Sequence, residues 1–266
     1  MLQPADHPDR GAVRFLLLVF ASTWLFQLPA LLALHEPGLV AGPVARFMPL
    51  VVLGFFGPLL VAVILSLREP GGLRALFAPL AVWRVSVAWY VVALGLSAAI
   101  FVVTMGAYEL VTGAKAGPLF YPPTSAEQLA AMLVVPLTEQ LPWRGFLYPR
   151  LERRYGALAA SGIVGVAWAL FHVQKHVLLQ AELGWTSPLV LIPFMTAGTV
   201  VFTWLQRRTR GSLLLVVLAN AGIYLDNPAA SPASSTPVIV HTVGFCLVAL
   251  ALVTLDRRAW TAAPGT

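Results

Sequence analysis

The sequence predicts an all-α, polytopic membrane bundle of about eight transmembrane helices. Of the 266 residues, 59% are hydrophobic and only 11% are charged, and the mean hydropathy is +0.82. This balance lies far from that of a water-soluble domain. Apolar stretches of about 20 residues, long enough to cross the hydrocarbon core as a helix, recur along the chain. We therefore expect a single integral-membrane domain over residues 1–266.

Eight apolar segments are expected to cross the membrane, joined by short loops. They are residues 13–35, 44–66, 85–110, 127–148, 157–178, 187–206, 211–226 and 237–255. The first is too long for a cleaved signal peptide and lacks a small-residue cleavage site, so it is expected to remain as a span. The fourth is the least apolar and the seventh the shortest, and functional interruptions are expected in these two.

The basic residues orient the bundle. The net charge is +6, but the basic residues are scattered between apolar segments instead of forming one stripe, which argues against a nucleic-acid partner and for contact with membrane lipids. The positive-inside rule then favours both termini in the cytoplasm. We expect the protein to reside in the plasma (inner) membrane. In that orientation the cytoplasmic basic residues are Arg10, Arg14, Arg68, Arg74, Arg84, Arg150, Arg153, Arg154, Arg207, Arg208, Arg210, Arg257 and Arg258.

The fourth segment contains the polar stretch Thr138 to Gly145. The residues Thr124 to Glu127 ahead of it are typical of a helix start, with an acid in the first turn. Glu139 precedes Arg150 by 11 residues, which places it about 16 Å from the cytoplasmic end and near the bilayer midplane. A carboxylate at that depth is by default a functional-site hypothesis.

Two prolines, Pro136 and Pro142, flank Glu139 and each removes a backbone donor. Irregular backbone at membrane depth needs protein or a water-filled cavity to satisfy it, so water is expected to reach Glu139. The alternative is a buried ion pair with Arg144, although five residues on one helix offset the two side chains by about 140°. Arg144 itself has three open interpretations: a structural brace, a side chain that reaches the interface, or a ligand of a substrate carboxylate.

Two further segments carry polar groups. His172 and His176 share a helical face with Trp168, but the glutamate of a zinc-protease helix is missing between them. The deeper His172 is expected to be functional and His176 to lie at the outer interface. Asn220 is the strongly polar side chain of the seventh segment, and both an interhelical hydrogen bond and a functional role remain open for it.

These three blocks resemble the family of CAAX-type prenyl endopeptidases and bacteriocin-processing or immunity proteins, which are intramembrane proteases. The usual pattern has Glu-Glu-x-x-x-Arg on one helix, Phe-x-x-x-His on the next, and a His with an Asn one turn later on a subsequent helix. This sequence has Glu139-Gln140 with Arg144, then Trp168 with His172, then Asn220 with Tyr224. The similarity covers a core of about residues 127–226, with the order and spacing of the blocks intact.

The resemblance implies peptide hydrolysis, with a hydrophobic, membrane-associated or prenylated protein or peptide as substrate. Glu139 would be the general base that activates water, and His172 would share that water. Asn220 and Tyr224, which stand where the third-block His and Asn are usual, would donate hydrogen bonds to the oxyanion. Gln140, in place of the second Glu, and Arg144 would have supporting roles.

No cofactor is expected. One carboxylate and one deep histidine are fewer than the three protein ligands usual for catalytic zinc, so a metal-free glutamate mechanism is favoured. A divalent metal such as zinc, if bound, would use Glu139 and His172.

The substitutions at Gln140, Asn220 and Tyr224 keep a second interpretation open, in which the protein is a catalytically silent relative that acts as a membrane binding or immunity-type protein. A transporter is disfavoured because no internal repeat is seen.

Overall fold

The structure, a computed structural model, describes residues 8–36, 38–40, 42–115, 118, 120, 122–179, 188–225 and 235–261. Within these residues every regular element is helical, which confirms the all-α prediction. The α-helices are α1 (Pro8–His35), α2 (Met48–Phe55), α3 (Gly57–Ser66), α4 (Gly72–Phe77), α5 (Val87–Thr112), α6 (Ala126–Gln140), α7 (Tyr148–Leu179), α8 (Pro188–Arg208), α9 (Leu213–Ile223), α10 (Ser235–Leu255) and α11 (Arg258–Thr261). Short 3₁₀ turns cover Val44–Phe47 and Ala78–Ala81, and a π-helical segment, Leu141–Leu147, joins α6 to α7.

Six helical stretches of the described chain are long and apolar enough to cross a membrane. One of them, Ala126–Val173, has 48 residues and is broken at Gly156, so it contains two crossings. Leu213–Ile223 is a shorter apolar helix. When Ala126–Val173 is counted as two crossings and Leu213–Ile223 is added, each of the eight predicted segments corresponds to a helical stretch of the described chain. The protein is a polytopic membrane bundle.

Gly156 makes a helical hairpin of this long stretch. Its φ of 78° and ψ of 168° belong to a region that glycine adopts readily and side-chain-bearing residues avoid. The chain therefore descends from Ala126 through the π-helical segment to Tyr155 and then reverses. This differs from the prediction that the descending helix ends near Tyr148 to Arg150.

The later helix end explains how two distant residues meet. Glu139 lies 16 residues before Tyr155 and His172 lies 15 residues after Ala157. At 1.5 Å per residue these offsets are about 24 Å and about 22 Å from the hairpin turn, so the two side chains share one depth. Further down the hairpin the rings of Trp143 and Phe171 make an edge contact, with centroids 5.7 Å apart.

Small residues allow close helix packing, as is common in membrane bundles. A Cβ added at Gly165 of α7 would lie 2.6 Å from the Thr196 Cα of α8. In another pair of helices, the Thr23 hydroxyl of α1 donates to the Gly54 carbonyl of α2 over 3.1 Å. These contacts bring α7 against α8 and α1 against α2.

Charged pairs gather at the end of the bundle that holds the hairpin turn, here called the basic end. Arg150 pairs with Glu69, Arg207 with Glu152, and Arg208 with Asp256. These pairs join α7, α8 and the segments that follow α3 and α10, and they hold the helix ends below the polar groups of the interior.

Candidate active site

Two neighbouring polar residues, Glu139 and Gln140, end α6 just before the π-helical segment. The Ser125 side chain caps α6 by accepting from the Gln128 amide over 3.2 Å, and the helix continues to Gln140. Pro142 then removes a backbone donor just where the helix widens into Leu141–Leu147. Consecutive helical residues point about 100° apart, so Glu139 and Gln140 face different neighbours.

Glu139 meets side chains from two other helices. The Asn220 Nδ2 of α9 donates to Glu139 Oε2 over 2.9 Å. The His172 Nε2 of α7 lies 3.6 Å from Glu139 Oε1. The Glu139 and His172 side chains retain 21% and 15% exposure, so neither side chain is fully enclosed by protein. The three polar blocks of the sequence thus converge within the reach of one water molecule.

A backbone contact sets the tautomer of His172. Its Nδ1 lies 2.9 Å from the Trp168 carbonyl oxygen, and a carbonyl oxygen only accepts hydrogen bonds. We therefore place the ring hydrogen on Nδ1, which leaves Nε2 with a lone pair directed at Glu139 in the neutral ring. In that neutral form both atoms are acceptors 3.6 Å apart, and a water molecule that donates to both would satisfy them.

Arg144 faces away from this cluster and braces two helices. It is 1% exposed, which excludes the interpretation that it reaches the interface. Its Nε donates to Gln140 Oε1 over 2.7 Å, Nη1 to Thr203 Oγ1 over 3.1 Å, and Nη2 to the Thr199 carbonyl over 3.2 Å. In the described chain it forms no ion pair with Glu139. Gln140 is therefore a partner of Arg144 and does not touch the Glu139 carboxylate.

The two residues of the third block occupy different surroundings. Ser212 caps α9, because its hydroxyl accepts from the Leu215 amide over 3.3 Å, and the helix carries Asn220 into the interior with 4% exposure. Tyr224 ends α9 and is 38% exposed. Its phenol lies near enough to the Glu139 carboxylate for the two groups to interact electrostatically. No hydrogen bond of the Tyr224 hydroxyl to another described residue is formed, so this group is available to an incoming molecule.

Sequence reasoning missed a polar stripe on α8. Thr196, Thr199, Thr203 and Gln206 recur every three or four residues, and the last three are buried. The Ser161 hydroxyl of α7 joins them through a 2.9 Å hydrogen bond to Thr203. The spacing was a visible signal, since polar residues at helical period inside an apolar span indicate a buried face.

Few metal ligands gather in the described part of the chain. No group of three or more His, Cys, Asp or Glu side chains comes together there. Glu139 and His172 supply one carboxylate and one imidazole, whereas the Asn220 amide directs a donor towards Glu139. This set has fewer ligands than catalytic zinc usually takes from protein. His176 was predicted to lie at the outer interface, but its side chain is outside the part of the protein that the structure describes.

Two comparisons with known proteins concern the part of the chain that holds this cluster. Residues 121–225 match the model of the family described as Type II CAAX prenyl endopeptidase Rce1-like. A curated relative from Methanococcus maripaludis, named CAAX prenyl protease 2, is 26% identical over 139 residues, which are 49% of this chain and 50% of the relative. The chain thus spans about half the length of the curated relative it matches. The predicted family resemblance is confirmed, and the matched residues include α6 to α9.

Proposed function

We propose that this chain, whose residues 121–225 match the model of the Type II CAAX prenyl endopeptidase Rce1-like family, is an intramembrane endopeptidase. Its substrate would be a hydrophobic, membrane-associated or prenylated protein or peptide. One observation carries the proposal: the Glu139 carboxylate, placed deep in the bundle, contacts Asn220 and lies 3.6 Å from the His172 ring. A partly open carboxylate beside an imidazole is an arrangement that can activate water.

In the proposed reaction, a water molecule donates one hydrogen bond to Glu139 Oε1 and the other to His172 Nε2. Its oxygen attacks the peptide carbonyl carbon while Glu139 takes a proton. A C–O bond forms, and the C–N bond then breaks as Glu139 returns that proton to the leaving nitrogen. The hydrogen bond from His172 Nδ1 to the Trp168 carbonyl keeps the imidazole lone pair on the side of the water.

The contacts suggest different roles for the two third-block residues. Asn220 donates a hydrogen bond to Glu139 Oε2, so we propose that it orients the base and leaves Oε1 for the water. Tyr224 is partly exposed and lies near the carboxylate, and we propose its hydroxyl as the donor to the oxyanion. This revises the expectation that both residues serve the oxyanion.

We propose that no metal takes part in this step, because the donor set is small. Glu139 and His172 are the residues that would hold a divalent metal such as zinc, which would supply a Lewis acid to the same water. We further propose that the protein lies in the plasma (inner) membrane. The positive-inside rule favours an orientation with the basic end and both termini in the cytoplasm.

The decisive experiment uses the full chain in proteoliposomes with two peptides that differ only in a farnesyl group. Glu139→Gln should lower kcat on the order of 10³-fold, since it removes the general base. Glu127→Gln, an exposed carboxylate on the first turn of the same helix, is the matched control and should keep full activity. Full activity in Glu139→Gln would refute the base. Peptide binding without cleavage by the unaltered protein would support the silent-relative alternative.

A further inference from the structure

The guanidinium of Arg144 lies in the bundle interior, and no carboxylate of the described residues lies beside it. Its three hydrogen bonds go to neutral oxygens of Gln140, Thr203 and Thr199. Among the residues that the structure describes, no Asp or Glu lies within ion-pair distance of it. Phe202 provides only a ring face, with its centroid 5.2 Å from the guanidinium carbon.

A buried charge of this kind is costly unless it is compensated. An arginine cannot remove the cost by losing its proton. A ring face offsets part of it, but a cation–π contact is weaker than a buried counter-ion. Charge balance at Arg144 therefore calls for an anion that the described chain does not supply.

The surroundings of Arg144 are rich in hydrogen-bond donors. The guanidinium has five N–H groups and uses three. The Gln140 Nε2 and the Thr199 hydroxyl are buried and have no hydrogen-bond partner among the described residues, and both residues are 0% exposed. These unused groups all belong to residues that contact Arg144, and none of the unused nitrogens can accept a hydrogen bond. Such a set suits a small anion and repels a cation.

We propose that Arg144, Gln140, Thr199 and Thr203, here called the Arg144 cluster, form a binding site for a single chloride ion. The cluster carries one positive charge, which matches a monovalent ion better than sulfate or phosphate. The Gln140 side chain contributes a free donor to the site. Arg144 donates to its Oε1, while its amide nitrogen has no hydrogen-bond partner among the described residues. The site lies on a different side of the helix from Glu139, so it is separate from the proposed catalytic cluster.

Residue 140 allows a direct test. A carboxylate at this position would lie against the Arg144 Nε and provide the missing negative charge from within the chain. Gln140→Glu should therefore replace the ion. Gln128→Glu makes the same chemical change at an exposed residue of the same helix, and it serves as the matched control.

The experiment measures the Tm of the detergent-solubilised full chain while sodium gluconate is exchanged for sodium chloride or bromide at constant ionic strength. At tenfold excess over Kd, the halide should raise the Tm of the unaltered protein and of Gln128→Glu by about 3–6 °C. Gln140→Glu should lose the halide response and match or exceed the chloride-saturated Tm of the unaltered protein. Glu139→Gln should keep the response, because the site does not depend on proteolysis.

Two results would overturn the chloride site. One is a Tm of the unaltered protein that rises no more in halide than in gluconate. The other is a halide response of the same size in Gln140→Glu. If that variant does not fold, crystals of the unaltered protein grown in bromide decide the matter: an anomalous peak at hydrogen-bond distance from the Arg144 guanidinium supports the site, and its absence refutes it.

Discussion

Asn220 donates its side-chain amide to Glu139 across the contact between α9 and α6, with 2.9 Å between Nδ2 and Oε2. The bond joins two residues that are 81 positions apart in the chain. It occupies one carboxylate oxygen and leaves the other facing His172. The carboxylate is thereby held in one orientation, which is what a general base needs before it can act on a positioned water.

Asn220→Ala tests this positioning role. Without the amide, the Glu139 carboxylate can rotate away from the water, so kcat should fall by about 10–100-fold while KM changes little. Steady-state kinetics with the farnesylated peptide separate the two constants. An increase in KM at unchanged kcat would instead identify Asn220 as a substrate-binding residue.

Tyr224→Phe removes a single hydroxyl from a partly exposed side chain, so the fold should persist. If the phenol donates to the oxyanion, kcat should fall by about 10²–10³-fold, as for other oxyanion donors. Tyr155→Phe is a suitable control, since Tyr155 is also exposed but lies at the hairpin turn. Equal activity of Tyr224→Phe and the unaltered protein would remove Tyr224 from the mechanism.

Gly156→Ala should destabilise the hairpin that brings Glu139 and His172 to the same depth. A Cβ at Gly156 would meet no atom within 4 Å, so the cost comes only from the backbone conformation, about 1–3 kcal/mol. Gly162→Ala is the matched control, because it also has free space around the added Cβ but lies in regular helix, where alanine is favoured. Thermal unfolding in detergent should show a lower Tm for Gly156→Ala and an unchanged or higher Tm for Gly162→Ala.

The stability of the basic end should depend on pH through Asp256. A hydrogen bond from Arg208 lowers the pKa of Asp256 below its usual value of 3.8, and a second from Trp204 acts in the same direction. The pKa of Asp256 is lower in the folded than in the unfolded protein, so its ionised carboxylate stabilises the fold. This stabilisation is complete above the unfolded pKa of about 4 and is lost as the pH falls through the folded pKa.

The comparison of Asp256→Asn with the unaltered protein isolates this contribution. The variant should be less stable at neutral pH by no more than about 1 kcal/mol, since the Arg208 pair is partly exposed. The difference in Tm should shrink as the pH is lowered below about 4. A difference that stays constant over that range would show that the Asp256 charge makes no contribution.

Several features of the fold followed from local pattern. The apolar segments correspond to helices because a chain in a bilayer must satisfy its backbone internally. The cost of burying charge singled out Glu139 and His172, and the seventh segment offered Asn220 as its strongly polar group. That these three side chains converge agrees with the expectation, and their catalytic roles stay predictions that the kinetic experiments above can test.

Other features depended on contacts that no local pattern contains. Arg150, Arg153 and Arg154 suggested a loop, yet the helix continues to Tyr155 and is broken only at Gly156. Arg150 pairs there with Glu69, which comes from a distant part of the chain. The orientation of Arg144 was likewise open. Its partners Thr199 and Thr203 lie more than 50 residues away on α8, and the choice among three interpretations depended on them.

By itself, the sequence determined that this protein is a helical membrane bundle with a carboxylate and an imidazole in its interior, because hydropathy and the cost of buried charge act on each segment locally. Only the tertiary structure decided which atom faces which. It placed Asn220 on Glu139 and Gln140 on Arg144, because the π-helical segment and the turn at Gly156 set the rotation and depth of each helix, and packing against α8 and α9 then selected the partners.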